Sequence, residues 1–299
     1  MTLESEADAA LPPAWFTEAL AAPVTEGTAS LDGVPIAYRT WGGHAERGIV
    51  LVHGGGAHSR WWDHIAPLLS AERRVIAIDL SGHGDSGRRE SYSFDAWARE
   101  VLAVTADAGL ATPPVVIGHS MGGIVTLRLA ATSGSRIEGA VIIDSPLRDP
   151  APEERAAQRQ RVFRQLRRYP TREAILARFR PVPDQPVLRY VADHVAAMSI
   201  RQVDGGWTWK WDPGVFNSRG TPAEPLTKLD CRAALFRAEH GILSAEMSDR
   251  IYDRLGRVAP VIEIPVAGHH IMLDQPIALV AALRTLLSDW DHSRPEPRP

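Results

Sequence analysis

The residues best suited to chemistry are a serine framed by glycines. Gly118-His119-Ser120-Met121-Gly122 follows an apolar run typical of a buried strand, and residues 124–131 continue at helical spacing. Ser120 therefore lies at a sharp strand-to-helix turn, a nucleophile elbow, where flanking side chains would collide. We predict that Ser120 is a nucleophile. We also predict that the backbone N–H of Met121, free at the start of the helix, stabilises an oxyanion.

A serine hydroxyl is a poor nucleophile at neutral pH until a base takes its proton. Histidine suits this role because its usual pKa of about 6.5 leaves much of it neutral near pH 7. The chain has 11 histidines, and two adjacent ones, His269 and His270, follow a glycine in a loop after an apolar strand pattern. Either could reach the edge of the sheet where Ser120 lies.

A second glycine loop, His53-Gly54-Gly55-Gly56, follows the apolar residues 49–52. Glycines let the backbone approach a substrate closely, so an N–H of this loop could complete the oxyanion hole with Met121. A plain tight turn is the alternative interpretation. A phosphate-binding loop is disfavoured, because the Lys-Ser/Thr pair that would hold phosphate and magnesium is absent.

Around these motifs the chain alternates predicted strands and helices, which indicates a mostly parallel sheet with helices on both faces. A hairpin around Asp32-Gly33 precedes this alternation. The predicted strands cover residues 49–52, 74–78, 139–144, 233–236 and 261–264, and the predicted helices cover residues 61–69, 94–110, 245–255 and 277–287.

The alternation stops in the middle of the chain, which predicts an inserted, largely helical cap at residues 147–225. The core then comprises residues 26–146 and 226–290, with a loosely held arm at 1–25 and a frayed tail at 291–299. Trp207, Trp209 and Trp211 share one face of an extended segment in this insertion. A basic stretch formed by Arg155, Arg159, Arg161, Arg164, Arg167 and Arg168 is either a solvated helix face or an attractor for an anionic substrate.

Composition narrows the function classes. The net charge of -3 offers no basic footprint for nucleic acid, and no apolar stretch is long enough to span a membrane. The first ten residues lack the pattern of a secretory signal, and the single Cys231 cannot form an internal disulfide, so we expect a cytoplasmic protein. No cofactor is predicted, and no metal either, because no cluster has metal-ligand spacing along the chain.

Four motifs in order resemble the α/β-hydrolase fold: His53 to Gly56, residues 79–86, the elbow, and Gly268-His269 followed by Asp274-Gln275-Pro276. The resemblance covers nearly the whole chain. It implies a Ser-acid-His triad with Ser120 as nucleophile and His269, rather than His270, as base. It also implies that Gly55 supplies the second N–H of the oxyanion hole.

The triad acid is where the sequence departs from the commonest family pattern. An aspartate is expected after the strand that follows the cap, and Gly241 stands there instead. Asp144, which ends the strand after the elbow helix, and Glu239 are the two candidates. We favour Asp144, because an aspartate that ends an apolar strand is costly unless it is paired. A turn cap ahead of Ser145-Pro146 is the alternative role.

The serine nucleophile implies acyl transfer, since relatives that open epoxides or remove halogens carry aspartate at the elbow. A small to medium carboxylic ester is the leading substrate class. Lactone, thioester and C–C bond hydrolysis remain alternatives, as does a hydrolase-like fold that only binds ligands. The candidates for the substrate pocket are His53, Gly54, Gly56, Trp61, Trp62 and Trp209.

Overall fold

The computed structural model describes residues 11–43, 46–146, 168–218 and 229–293. The strands within these ranges are β1 Thr25–Leu31, β2 Val34–Trp41, β3 Gly48–Val52, β4 Arg74–Ile78, β5 Val115–His119, β6 Gly139–Ile143, β7 Ile200–Val203, β8 Gly206–Trp209, β9 Arg232–His240 and β10 Val261–Gly268. Eight of them form one sheet in the order β1-β2-β4-β3-β5-β6-β9-β10. In this sheet the pairs β1–β2 and β2–β4 are antiparallel, and all other neighbours are parallel.

Helices cover both faces of the sheet, which confirms the predicted fold class. They are α1 Ala14–Ala21, α2 Ala66–Leu69, α3 Phe94–Asp107, α4 Met121–Ser133, α5 Arg172–Leu176, α6 Arg189–Met198, α7 Ala245–Arg254, α8 Ile271–Asp274 and α9 Pro276–His292. Alternate residues of the central strands enter two separate apolar cores. Ile49 and Leu51 pack in the core that includes residues of α1, α2 and α9, whereas Val50 and Val52 pack with α3, α4 and α7. Burial on both faces explains why these strands are continuous apolar runs.

The parallel strands bring the candidate site residues to one edge. Val52 pairs with Gly118, His119 with Ile143, and Ile143 with Phe236, so β3, β5, β6 and β9 end side by side. The glycine loop, the elbow and Asp144 follow the ends of β3, β5 and β6, and Glu239 is the second-last residue of β9. Parallel topology alone therefore gathers motifs that lie far apart in the sequence.

The residues described between β6 and β9 lie outside the main sheet. Residues 168–218 hold α5, α6, the antiparallel β7–β8 hairpin and a short 3₁₀ helix at Pro213–Asn217. They attach to the loop after β4, where Gly84 N donates to Lys210 O and Asp212 N to Gly82 O, each at 2.7 Å. The predicted cap boundaries at 147 and 225, and all but Arg168 of the basic stretch, fall outside the described residues.

Three sequence interpretations are wrong. Residues 61–69 do not form one helix: a 3₁₀ turn at Ser59–Trp62 is followed by the single turn α2, with Pro67 at its start, where a proline lacks an N–H that the first turn does not need. The arm is not loose throughout, because residues 14–21 form α1 and bury Phe16 among the core residues. The last helix also runs to His292, beyond the predicted end at 287. Within the described ranges, no helix is both long and apolar enough to cross a membrane.

Candidate active site

Ser120 occupies the turn between β5 and α4 with φ 53° and ψ -120°, a strained backbone conformation for a residue with a side chain. The glycines around it are sterically required. A Cβ at Gly118 would lie 2.1 Å from the carbonyl oxygen of Gly122, and a Cβ at Gly122 would lie 2.4 Å from that of Val52. This confirms the prediction that side chains beside the elbow would collide.

Ser120, His269 and Asp144 form one hydrogen-bonded series. The Ser120 hydroxyl oxygen lies 3.1 Å from His269 Nε2, and His269 Nδ1 lies 2.7 Å from Asp144 Oδ2. A carboxylate can only accept, so Nδ1 carries the proton and Nε2 is left with the lone pair that the serine hydroxyl needs. The arrangement can deprotonate Ser120 during attack on an electrophile.

Asp144 is fully buried, and backbone N–H groups surround its carboxylate. Oδ1 accepts from Ala238 N at 3.2 Å and Leu243 N at 3.4 Å, and Oδ2 accepts from Ile242 N at 2.9 Å. Gly241 makes room for this group, because a Cβ there would lie 2.4 Å from both carboxylate oxygens. The absence of a side chain at 241 and the presence of the aspartate at 144 are thus parts of one arrangement.

The other candidates for the acid and the base, Glu239 and His270, form their hydrogen bonds away from Ser120. Glu239 is exposed, and its Oε2 accepts from Val266 N at 2.7 Å, away from the ring of His269. His270 Nε2 donates to Val182 O at 3.1 Å, and burial lowers the pKa of His270 to about 3. His270 therefore stays neutral and is directed at the residues before α6 rather than at Ser120.

The glycine loop lies beside the elbow. A Cβ at Gly54 would come within 3.2 Å of Ser120 Cβ, and one at Gly55 within 3.6 Å of Met121 Sδ. Gly56 has φ +73°, which favours glycine. Met121 is the first residue of α4, where an N–H has no acceptor within the helix. Gly55 and Met121 thus lie side by side next to Ser120, and their backbone N–H groups are the candidates for contact with a developing negative charge.

His53 holds the glycine loop through hydrogen bonds instead of lining a pocket. Its Nδ1 donates to Gly54 O at 2.7 Å, and its Nε2 accepts from Leu80 N at 3.1 Å. The side chain is buried, and burial lowers its pKa, so the ring stays neutral in the tautomer that both contacts require.

Aromatic side chains extend from the site towards the insertion. The Trp61 ring lies 5.3 Å from the ring of His270 and 6.3 Å from that of Phe179, which lies 6.3 Å from Trp209. Trp62, which was also predicted to line the substrate pocket, is instead fully buried in the core and is not one of these aromatic side chains. Phe216 covers the glycine loop, because a Cβ at Gly55 would lie 3.2 Å from its ring.

Three buried histidines meet next to the serine. One ring nitrogen from each of His119, His269 and His270 lies within 4.8 Å of the others, a group close enough to hold a metal ion, and it is the one such group among the residues described. The sequence does not indicate this histidine group, because 150 positions separate His119 from His269. His119 Nε2 donates to His269 O at 2.9 Å, and burial lowers the pKa of His119, so it supports the loop as a neutral ring.

The sequence analysis did not identify Phe179 and Phe216, which lie in segments without a clear hydrophobic period. It noticed Gly241 only as a departure from the expected pattern. The glycine at position 241, where the family pattern has an acid, was itself informative. A glycine at such a position can leave room for the side chain of an acid from another strand.

Known proteins resemble this chain, some over most of its length and others over about a third of it. A sequence model described as the alpha/beta hydrolase family matches residues 49–283. An esterase of Mycobacterium tuberculosis is 27% identical over 255 residues, which cover 83% of this chain and 84% of the esterase. A pimeloyl-acyl-carrier-protein methyl ester esterase of Edwardsiella ictaluri is 34% identical over 103 residues, only 34% of this chain and 38% of that enzyme. This chain also matches the crystal structure of an E-2-(acetamidomethylene)succinate hydrolase with a TM-score of 0.77 and 19% sequence identity. The match covers 89% of this chain and 100% of the hydrolase chain.

Proposed function

The chain belongs to the alpha/beta hydrolase family, and we propose that it is a serine hydrolase that cleaves small to medium carboxylic esters through an acyl-enzyme on Ser120. The observation that carries this proposal is the hydrogen-bonded series from Asp144 through His269 to Ser120, with distances of 2.7 and 3.1 Å. The esterases among the relatives favour an ester over other acyl compounds.

In the proposed mechanism, His269 Nε2 takes the proton of the Ser120 hydroxyl as its oxygen attacks the ester carbonyl carbon. The tetrahedral oxyanion accepts hydrogen bonds from the N–H groups of Gly55 and Met121. His269 then donates its proton to the leaving alcohol. Asp144 stabilises the imidazolium throughout, because its carboxylate accepts from Nδ1 in both states of the ring.

Hydrolysis of the acyl-enzyme repeats these steps with water. His269 Nε2 takes a proton from a water molecule as the water oxygen attacks the acyl carbon, and the tetrahedral oxyanion accepts from the same two N–H groups. The bond between the acyl carbon and the Ser120 oxygen then breaks, the proton on His269 passes to that oxygen, and the carboxylic acid leaves. We propose that the insertion acts as a cap, because Phe179, Trp209 and Phe216 extend the site beyond the sheet edge. These side chains, together with Trp61, suit an apolar acyl or alcohol group.

Substitution of Ser120 tests this proposal. Ser120→Ala should leave a folded protein whose kcat on p-nitrophenyl esters falls by several orders of magnitude, because only the oxyanion hole and binding remain. A fluorophosphonate should label the parent protein at Ser120 and should not label the variant. His269→Ala should lose a similar factor, and His270→Ala much less. A parent protein that resists the fluorophosphonate would be a ligand-binding relative, and the proposal would be wrong.

The substrate class needs its own experiment. Turnover of p-nitrophenyl esters of graded acyl length, measured beside turnover of a lactone and a thioester, would show which substrate class the Ser120 nucleophile prefers. A neutral ester and its carboxylate analogue, assayed across a salt series, would test whether the basic stretch favours an anionic substrate. Equal and salt-independent turnover of the two would exclude that role.

A further inference from the structure

The insertion contacts the loop that carries His269. His270 Nε2 donates to Val182 O at 3.1 Å, and Leu188 N donates to Leu273 O at 2.8 Å. Between these two contacts lies Gln185, whose side chain enters the loop itself. The segment before α6 is therefore hydrogen-bonded along the residues that follow the catalytic histidine.

The carboxamide of Gln185 uses both its acceptor and its donor. Its Oε1 accepts from His270 N at 2.8 Å, and its Nε2 donates to Asp274 Oδ2 at 3.0 Å and to His270 O at 3.3 Å. Gln185 thus holds both backbone polar groups of the residue next to His269. A carboxylate or an ammonium at this position could not reproduce the set, since it requires an acceptor and a donor on one rigid plane.

The other neighbour of His269 joins the same network. Gly268 N donates to Asp274 Oδ2 at 2.6 Å, so one carboxylate oxygen connects Gly268 with Gln185. The amide of Gln185 also lies flat against Gly268, because a Cβ at that glycine would be 2.8 to 3.0 Å from the three terminal atoms of Gln185. Residues on both sides of the base are fixed by this one side chain and its acidic partner.

We propose that Gln185 is a positioning residue for the catalytic base: its amide holds the 268–270 backbone so that His269 Nε2 faces the Ser120 hydroxyl. Gln185 does not touch the reacting atoms and acts through the loop. The inference rests on the proposed function, in which His269 takes the serine proton. It gives the insertion a role in the chemical step in addition to covering the site.

The first test is Gln185→Ala, compared with Gln202→Ala. Gln202 is the same residue type in the same insertion, but it lies exposed on β7. We expect Gln185→Ala to lower kcat about tenfold with little change in KM, because a loosened base misplaces proton transfer without altering substrate contacts. The rate of fluorophosphonate labelling of Ser120 should fall by the same factor. Gln202→Ala should keep the parent values.

The second test uses Gly268, whose missing Cβ leaves room for the amide. Gly268→Ala should displace the flexible end of Gln185 without strain in the loop, since Gly268 is not in the left-handed region. It should therefore lower kcat by a similar factor. In the double variant with Gln185→Ala, the two losses should not multiply, because both substitutions remove the same contacts. Gly268→Ala also keeps the proposal testable if Gln185→Ala fails to fold.

The outcomes separate this inference from the proposed function. If the parent is labelled at Ser120 but Gln185→Ala keeps its kcat within twofold, the positioning role is wrong and the serine hydrolase remains. A rise in KM at constant kcat would make Gln185 a substrate contact and would also overturn the inference, as would fully multiplicative losses in the double variant. Absence of labelling in the parent would instead reject the proposed function.

Discussion

The ends of β6 and β9, each with the residues that follow it, lie side by side at the same sheet edge, yet they contribute different groups to the site. The first supplies a carboxylate: Asp144 is fully buried, has φ 41° and reaches His269 at 2.7 Å. The second supplies what surrounds that carboxylate, namely three backbone N–H groups and the space at Gly241. Glu239, its own acidic residue nearby, is exposed and bonded to β10 instead.

The difference shows that the position of an acid is decided by the groups that can stabilise its charge. A buried carboxylate is costly unless hydrogen bonds replace its water, and three N–H groups with an imidazole N–H do so for Asp144. Glu239 has one N–H and solvent, so it needs no such enclosure. Proximity to the sheet edge is therefore insufficient, and the enclosure distinguishes the two candidates.

The most severe way to break this arrangement is Asp144→Asn. In the parent, each carboxylate oxygen accepts from at least one N–H, so either orientation of an amide would direct its NH₂ at donors. His269 would then favour the wrong tautomer. We expect kcat to fall by about 10³ to 10⁴, as for the equivalent change in known triads. Steady-state kinetics and circular dichroism would separate this loss from unfolding. A kcat near that of the parent would remove Asp144 from the triad.

Most of the fold was predictable because burial leaves a direct mark on the sequence. The strand at 74–78 was predicted with its observed bounds, and β3, β6 and the helices α3 and α7 within a few residues, since their apolar patterns follow from packing on one or both faces. The prediction of one helix at residues 61–69 was wrong because apolar spacing cannot distinguish one helix from two short turns. The helix at residues 14–21 was not predicted because a single buried phenylalanine in an Ala-rich stretch gives no clear period.

The candidate site was predictable in so far as it lies in short local motifs. Ser120 and the glycine loop are recognisable because a strained turn and a close backbone approach restrict the residues that fit. The support from Gln185 and the closeness of His119 to His270 arise from contacts between distant segments, which leave no spacing to find. His53 and Trp62 were assigned to the pocket by position in the chain, whereas the direction of a side chain depends on the packing around it.

A smaller disturbance of the same enclosure is Gly241→Ala. The added Cβ would lie 2.4 Å from both oxygens of Asp144, so the carboxylate must move away from its N–H donors and from His269. We expect kcat to fall by about ten- to a hundredfold, because a displaced acid still orients the imidazole in part. Gly43→Ala is the matched control, since a Cβ there has no neighbour within 4 Å. Equal kcat values for the two variants would show that the space at Gly241 has no role.

The smallest expected effect belongs to Glu239→Gln, which tests the comparison from its other side. The amide keeps a carbonyl oxygen that can accept from Val266 N, so the contact to β10 survives the loss of charge. Val266 has φ 59°, and a retained hydrogen bond should keep this strained residue in place. We expect kcat to stay within about tenfold of the parent, since no described contact joins Glu239 to His269. Kinetics of Glu239→Gln beside Asp144→Asn, on the same ester and with folding checked, would compare the two loops directly. If Glu239→Gln were the crippling change, the acid would come from the end of β9, and the N–H groups around Asp144 would serve only to stabilise a structural carboxylate.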